Sequence, residues 1–227
     1  MGRFYFLPQK KPILSGLGDF RNYLAVELLE RIDNKMKTII VGITGASGSV
    51  YGLRLIEELA RKEFKIHVVA TKTAQEVVTY ETGYVLRDFI DNLNQKGGSL
   101  VLEDVDNFFA KIASGSYKTK GMIIAPCSMG TLAGIANGIS SNLLIRAADV
   151  CLKERRELIV LARETPLNTI NLENMLKLTQ AGAMIFPASP GFYSKPETID
   201  DLINFMIGKV LDSLNIENEL FDKWGNE

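Results

Sequence analysis

Lys37–Ile43 reads KTIIVGI, and Thr44–Gly48 continues it as TGASG before a helical pattern through Leu53, Ile56, Leu59 and Ala60. An apolar β-branched run, a glycine-rich turn and an amphipathic stretch together open a βαβ unit. The same alternation extends outward. Phe64–Ala70 (FKIHVVA) predicts a second strand and Lys72–Thr82 a helix after it. Met122–Ala125 (MIIA), Leu158–Ala162 (LIVLA) and Ala183–Phe186 (AMIF) predict further strands. Helices are expected from about Met129, over Asn171–Ala181 and over Pro196–Leu214. Leu86–Ser116 is less regular, with a strand near Leu100–Leu102 and a loop around Gly115. Continuously apolar strands alternating with helices specify an α/β fold, a doubly wound parallel sheet with helices on both faces. No repeat or low-complexity linker divides the chain, so residues 36–227 read as a single domain and 1–35 as an N-terminal extension.

The 227 residues hold 26 Lys plus Arg against 27 Asp plus Glu. That balance supplies no bulk field for nucleic acid or an anionic membrane. One histidine (His67), two cysteines (Cys127, Cys151) and one tryptophan (Trp224) are present. They make neither a Cys/His metal site nor a disulfide scaffold. No metal is therefore expected, and proton chemistry must rest on Glu, Asp, Lys, Tyr or a substrate group. Met1–Lys35 lacks the apolar core of a signal peptide, its acidic residues spoil a transit-peptide pattern, and Phe6 breaks the myristoylation pattern. The uncharged run Gly121–Ile145 is long enough to span a bilayer, but its Pro, Ser, Thr, Asn and four Gly residues mark it as protein interior. Free cysteines without an export signal point to the cytoplasm.

In doubly wound sheets, ligands lie beyond the carboxyl ends of the strands. Gly45–Ser49, Thr71-Lys72, Pro126–Thr131, Arg163-Glu164 and Pro187–Tyr193 each follow a predicted strand. Gly45–Gly48 can offer amides and the Ser47 hydroxyl to a phosphate at a helix N-terminus, or can be a tight turn capped by Ser47. It is neither the dinucleotide fingerprint, since Ser47 and Val50 stand where glycine is wanted, nor a P-loop. Ser128 and Thr131 are spaced to offer hydroxyls at a second helix start. Gly130, Gly134 and Gly138 recur every four residues, leaving one helix face nearly bare for a flat ligand, a neighbouring subunit or tight sheet packing. Arg146, Lys153, Arg155 and Arg156 form a basic cluster with Arg163 a strand later. Clusters of this kind are usually solvated. Arg146, however, directly follows the uncharged run, where burial would require an anion. His67 in its apolar strand and Cys127 at a helix start read as structural.

TGASGSVYGLRL (Thr44–Leu55), APCSMGTLAGIANGISSNLLIRAADVCLKERR (Ala125–Arg156), RETPLNTINLENMLKL (Arg163–Leu178), PASPGFY (Pro187–Tyr193) and KWG (Lys223–Gly225) resemble the UbiX-type flavin prenyltransferases over roughly Met36–Gly225. The resemblance implies a Rossmann/flavodoxin-like, metal-independent transferase. It would join a dimethylallyl group from dimethylallyl phosphate to N5 and C6 of reduced FMN, and the product would serve a UbiD-type decarboxylase. By matching motifs, Gly45, Ala46, Ser47, Thr71, Ser128, Met129, Gly130, Thr131 and Arg163 would bind FMN. Arg146, Lys153, Arg163 and Tyr193 would surround the prenyl phosphate and stabilise the leaving group. Ser47, Glu81 and Glu164 would move protons, and Trp224 would enclose the prenyl chain. The family builds this site across the subunits of a dodecamer.

Two departures stand out. Lys209 replaces a family arginine on the phosphate, exchanging a bidentate fork for a point charge, which bears on phosphate versus diphosphate donors. Met1–Lys35 lies outside the match, with an amphipathic run (Ala25, Leu28, Leu29, Ile32) suited to a helix packing on a neighbour, or to a segment upstream of the true start at Met36. The alternatives are a flavin-dependent cysteinyl-type decarboxylase, which looks to a site histidine, and a non-catalytic FMN-binding protein, which needs one anion site and not two.

Overall fold

The computed structural model describes residues 37–224. The expected extension over 1–35, with its amphipathic run, and Gly225 of the terminal motif lie outside the described residues.

Six parallel strands, β1 (Thr38–Ile43), β2 (Lys65–Ala70), β3 (Ser99–Glu103), β4 (Gly121–Cys127), β5 (Glu157–Ala162) and β6 (Met184–Pro187), form one sheet in the order β3-β2-β1-β4-β5-β6. Every pairing is parallel, with Ile43 opposite Ala70 and Ile40 opposite Met122. Among the described residues seven α-helices cover the two faces: α1 (Ser49–Arg61), α2 (Lys72–Thr82), α3 (Leu86–Gln95), α4 (Met129–Ala136), α5 (Leu143–Lys153), α6 (Thr169–Gln180) and α7 (Ile199–Ser213). Side chains alternate across a strand, so β1 sends Ile39, Val41 and Ile43 into one core with Leu53, Ile56, Val78 and Val210, and Ile40 into the other with Leu132, Leu144 and Leu178. That two-sided burial is why the strands read as continuous apolar runs. Each such Ile or Leu contributes about 1.5–3 kcal/mol by leaving water.

The structure corrects several expectations. α3 is a helix inside the stretch read as irregular. α7 begins at Ile199, three residues after Pro196, behind a Thr198–Asp201 capping box. Gly138 is not part of a bare helical face. α4 stops at Ala136, and Gly138 turns the chain with φ +67 in the left-handed region. The uncharged run is interior only at its two ends, since Gly138–Ser141 are exposed and Ile139 is 58% accessible. Among the described residues no helix is long and apolar enough to cross a membrane.

Candidate active site

Strand order reverses between β1 and β4, and the loops beyond their carboxyl ends are stitched together. Thr44 donates through Oγ1 to the Pro126 carbonyl at 2.9 Å and accepts from the Ser128 amide at 2.7 Å. The Thr71 amide donates to the Ile43 carbonyl, the Arg163 amide to Cys127 and the Ala188 amide to Ala162. These bonds join five strand ends into one rim. They bring to one edge of the sheet the loops that carry Gly45, Ala46, Ser47, Thr71, Ser128, Met129, Gly130, Thr131 and Arg163. Thr44, the clamp itself, was missed; a hydroxyl residue closing an apolar strand before a glycine turn was the available signal. α1 approaches β4 closely because Gly52 has no side chain: a Cβ there would lie 2.4 Å from the Ala125 carbonyl oxygen. Arg163 spans the crevice, its Nε donating to the Ser47 carbonyl at 3.0 Å. Glu164 lies beside it, lining a cavity of about 340 Å³ with Leu167, Met175 and Ser189.

Two helix N-termini open on this rim, and they differ. At α4 the Ser128 side chain accepts from the Thr131 amide, an ordinary N-cap, and its hydroxyl donates to Thr131 Oγ1 at 3.2 Å. The adjoining Gly130 is exposed, with open space where a side chain would stand. At α1 the cap residue is Gly48, without a side-chain cap, so Ser47 does not cap the helix. The amides of Gly48 and Ser49 instead donate to the Glu81 carboxylate at 3.0 and 2.8 Å. The Gly45–Ser49 turn therefore does not present those amides to an external phosphate, because the protein supplies the anion. Partial burial pushes the Glu81 carboxyl upward, but donors from Ser47, Ser49 and Gly48 outweigh it and hold the group below its ordinary value. Glu81 is thus an anion at neutral pH.

The residues read as structural behave so. His67 is buried, with Nδ1 2.6 Å from Glu103 Oε1 and Nε2 2.8 Å from the Tyr117 hydroxyl. Burial lowers its pKa despite Glu103, keeping the ring neutral. Cys127 and Cys151 are free and buried; burial raises both thiols, Cys151 to about 12.

The hydrogen bonds, ion pairs and ring contacts of the remaining candidates go to other partners. Arg146 is only partly buried, and its anionic partner is its own neighbour Asp149 at 2.8 Å, with Nε donating to the Ala113 carbonyl. Arg156 turns inward to the Gly115 and Tyr117 carbonyls, so the basic cluster does not face one anion. Lys153 ends α5, which leads into the start of β5, so it sits toward the opposite edge of the sheet and pairs with Glu154 at 3.4 Å. Tyr193 stacks edge-on against Trp224 and Phe205, each at 5.5 Å between centroids. Lys209 Nζ lies 6.0 Å from the Phe221 ring centroid. Among the described residues no hydrogen bond or ring contact ties this aromatic group to the rim.

A parallel sheet with an anion-ready helix start at its switch point is the arrangement of nucleotide-binding α/β proteins, and residues 28–211 match the family model described as Flavoprotein. A flavin prenyltransferase UbiX of Alkalihalophilus pseudofirmus is 52% identical over 203 residues, covering 86% of this chain and 98% of that one. AnUbiX (PadA1), solved in complex with FMN and dimethylallyl pyrophosphate, superposes with a TM-score of 0.78 at 40% identity, covering 85% of this chain and 99% of that one. A dodecameric FMN-dependent UbiX-like decarboxylase from Escherichia coli O157:H7 gives the same TM-score and identity over 83% of this chain and 100% of that one. The chain belongs to the UbiX family of flavin prenyltransferases.

Proposed function

We propose that this chain transfers a dimethylallyl group from dimethylallyl phosphate to N5 and C6 of reduced FMN, releasing phosphate, and that the product serves a UbiD-type decarboxylase. The observation that carries the reading is the rim itself, where Ser47, Glu81, Arg163 and Ser128–Thr131 converge on one crevice at the switch point. The α4 start fits the flavin phosphate. It offers first-turn amides, the Ser128 and Thr131 hydroxyls and the open face of Gly130, while the α1 start is already neutralised by Glu81. Reduced FMN supplies the nucleophilic positions, and the donor supplies the five-carbon unit with phosphate as leaving group. The Arg163 guanidinium, fixed across the crevice, offsets negative charge as the carbon–oxygen bond of the donor breaks. Glu81 is an anion beside the Ser47 side chain and would take part in proton movement through it. In this reading Glu164, which lines the cavity beyond β5, and the exposed Ser47 would pass a proton between flavin and phosphate.

Arg146, Lys153, Tyr193, Lys209 and Trp224 complete the donor site in this reading by reaching the flavin rim from other copies in a dodecamer. Exposed Trp224 and Phe192 and the exposed α6 residues Ile170, Leu172 and Leu176 support such association. Residues 36–227 form the enzyme domain, 1–35 are an extension of it, and free thiols suit a reducing cytoplasm. The cysteinyl-decarboxylase alternative has no histidine to use, because the one present is enclosed by Glu103 and Tyr117.

The test is anaerobic incubation of the protein with reduced FMN and dimethylallyl phosphate, followed by mass spectrometry of the extracted flavin. A flavin heavier by one C5H8 unit is expected, formed without any decarboxylase present and much more slowly by Glu164→Gln. An unchanged flavin mass overturns the reading.

A further inference from the structure

The aromatic and cationic groups at the C-terminus are set in place by a polar hub to which the transfer chemistry assigns no role. Asp212, near the end of α7, accepts through Oδ1 from the Asn218 side-chain amide and from the Lys223 ammonium, each at 2.9 Å. Asn218 Nδ2 also reaches the Gly208 carbonyl at 3.3 Å. These bonds fold Asn215–Trp224 back against the last turns of the helix. Gly208 makes that fold possible, because a Cβ there would lie 2.5 Å from Phe221 Cδ1. With no side chain in the way, the Phe221 ring sits against the helix backbone, 5.0 Å from the Phe205 ring and within 6.0 Å of Lys209 Nζ. Phe205 in turn holds Tyr193, and Tyr193 meets Trp224 edge-on at 89°. One latch therefore sets both a cation and an aromatic wall.

We infer that the Asp212 hub, with the Gly208 notch, supports binding of the prenyl donor by holding Phe221 against both Lys209 and the ring chain that leads through Phe205 to Tyr193 and Trp224. A phosphate suits the ammonium and a short branched hydrocarbon suits the aromatic pair. The inference rests on the prenyl-transfer reading above. Asp212, Asn218 and Gly208 are positioning residues, acting through Lys209, Tyr193 and Trp224. Lys209 is exposed, and an ammonium on a flexible four-carbon stem does not orient itself as a guanidinium fork would, so the Phe221 ring is what biases its position.

Trp224 is the one tryptophan of the chain, so its fluorescence reports the tail directly. The full-length protein with oxidised FMN and no reductant is titrated with dimethylallyl phosphate, which gives donor affinity without turnover. Asp212→Ala is expected to weaken donor binding and raise the donor KM by about tenfold, from loss of two charge-assisted bonds. Turnover at saturation and FMN affinity should stay within about twofold, the signature of lost uniform binding. Acrylamide should quench Trp224 more readily in the variant. Asp212→Asn keeps an acceptor for Asn218 without the charge for Lys223 and should fall between. Gly208→Ala should act in the same direction; if it does not fold, the two Asp212 variants carry the test. Unchanged donor affinity in Asp212→Ala, or a parallel loss of FMN binding, overturns the inference. A wild-type protein that binds the donor yet leaves flavin mass unchanged defeats prenyl transfer instead, while the fluorescence titration still decides the hub.

Discussion

The starts of α1 and α4 follow the two strands that flank the switch point, and each concentrates about half a positive charge on its free amides. They use it oppositely. α1 has a glycine cap and takes its anion from Glu81, 33 residues away, which closes the loop after β1 against α2. α4 is capped by its own first hydroxyl and keeps an exposed glycine in its first turn. Two unsatisfied helix starts side by side would compete for one phosphate and leave the flavin free to bind in either sense. In the proposed reading, neutralising one from within leaves the phosphate to the other, and with it sets the direction of the flavin ring. Preorganisation would then come from occupying the wrong site as much as from shaping the right one.

The comparison is broken most directly at α4. Gly130→Val puts a branched side chain into the open space beside the free amides, where no protein atom lies within 4 Å, so the fold itself should be unaffected. FMN affinity, followed by quenching of flavin fluorescence, should fall about 100-fold, equivalent to about 2.7 kcal/mol and the scale of lost charge-assisted phosphate bonds. Unchanged affinity would place the phosphate elsewhere. The matching change at α1 should do something different. Glu81→Gln leaves an uncharged acceptor on the Gly48 and Ser49 amides, so the folded chain should lose about 1 kcal/mol and roughly 2–4 °C in Tm. Its FMN affinity should change by less than about threefold, or tighten slightly as competition for the phosphate is relieved. A large loss of FMN affinity in this variant would show that the two termini share one ligand.

Which parts of this contrast were legible in the sequence follows from how local each part is. The strands were readable because both faces are buried, and the rim because parallel strands deliver their carboxyl ends to one edge. Ser128 and Thr71 cap their helices by accepting from an amide three residues on, whereas Ser47, the residue the sequence offered as a cap, does not. α3 was missed because Val85 supplies no side-chain cap, and only Leu86 and Ile90 are buried among Arg87, Asp88 and Asp91. Gly138 misled because a four-residue glycine spacing mimics a helical repeat even where the third glycine ends the helix. Glu81 sits on an exposed turn of α2, and nothing local marks it. Its partner amides lie one βα unit earlier, and topology alone brings them together. Arg146 misled in the opposite way, since the carboxylate it uses stands only three residues ahead.

The smallest effect sharpens the contrast through pH. Glu81 titrates below its ordinary value in the folded chain because the helix amides and Ser47 stabilise its charged form. The unfolded chain therefore takes up this proton first as the pH falls. The stability Glu81 contributes is fully present above its unfolded value, near 4.5. It declines as the pH falls from there through the lower folded value, and is absent below both. α4 has no counterpart, since a serine hydroxyl caps it and does not titrate in this range. Urea midpoints of the flavin-free protein measured between pH 6 and pH 3.5 should converge for the wild type and Glu81→Gln. Their difference should be largest above about pH 5 and should shrink through the acid limb. A Ser128→Ala variant should stay below the wild type by a constant margin across the same range. A difference for Glu81→Gln that persisted unchanged at the acid end would mean that the carboxylate holds α1 by shape rather than by charge, and the two helix starts would then be capped alike.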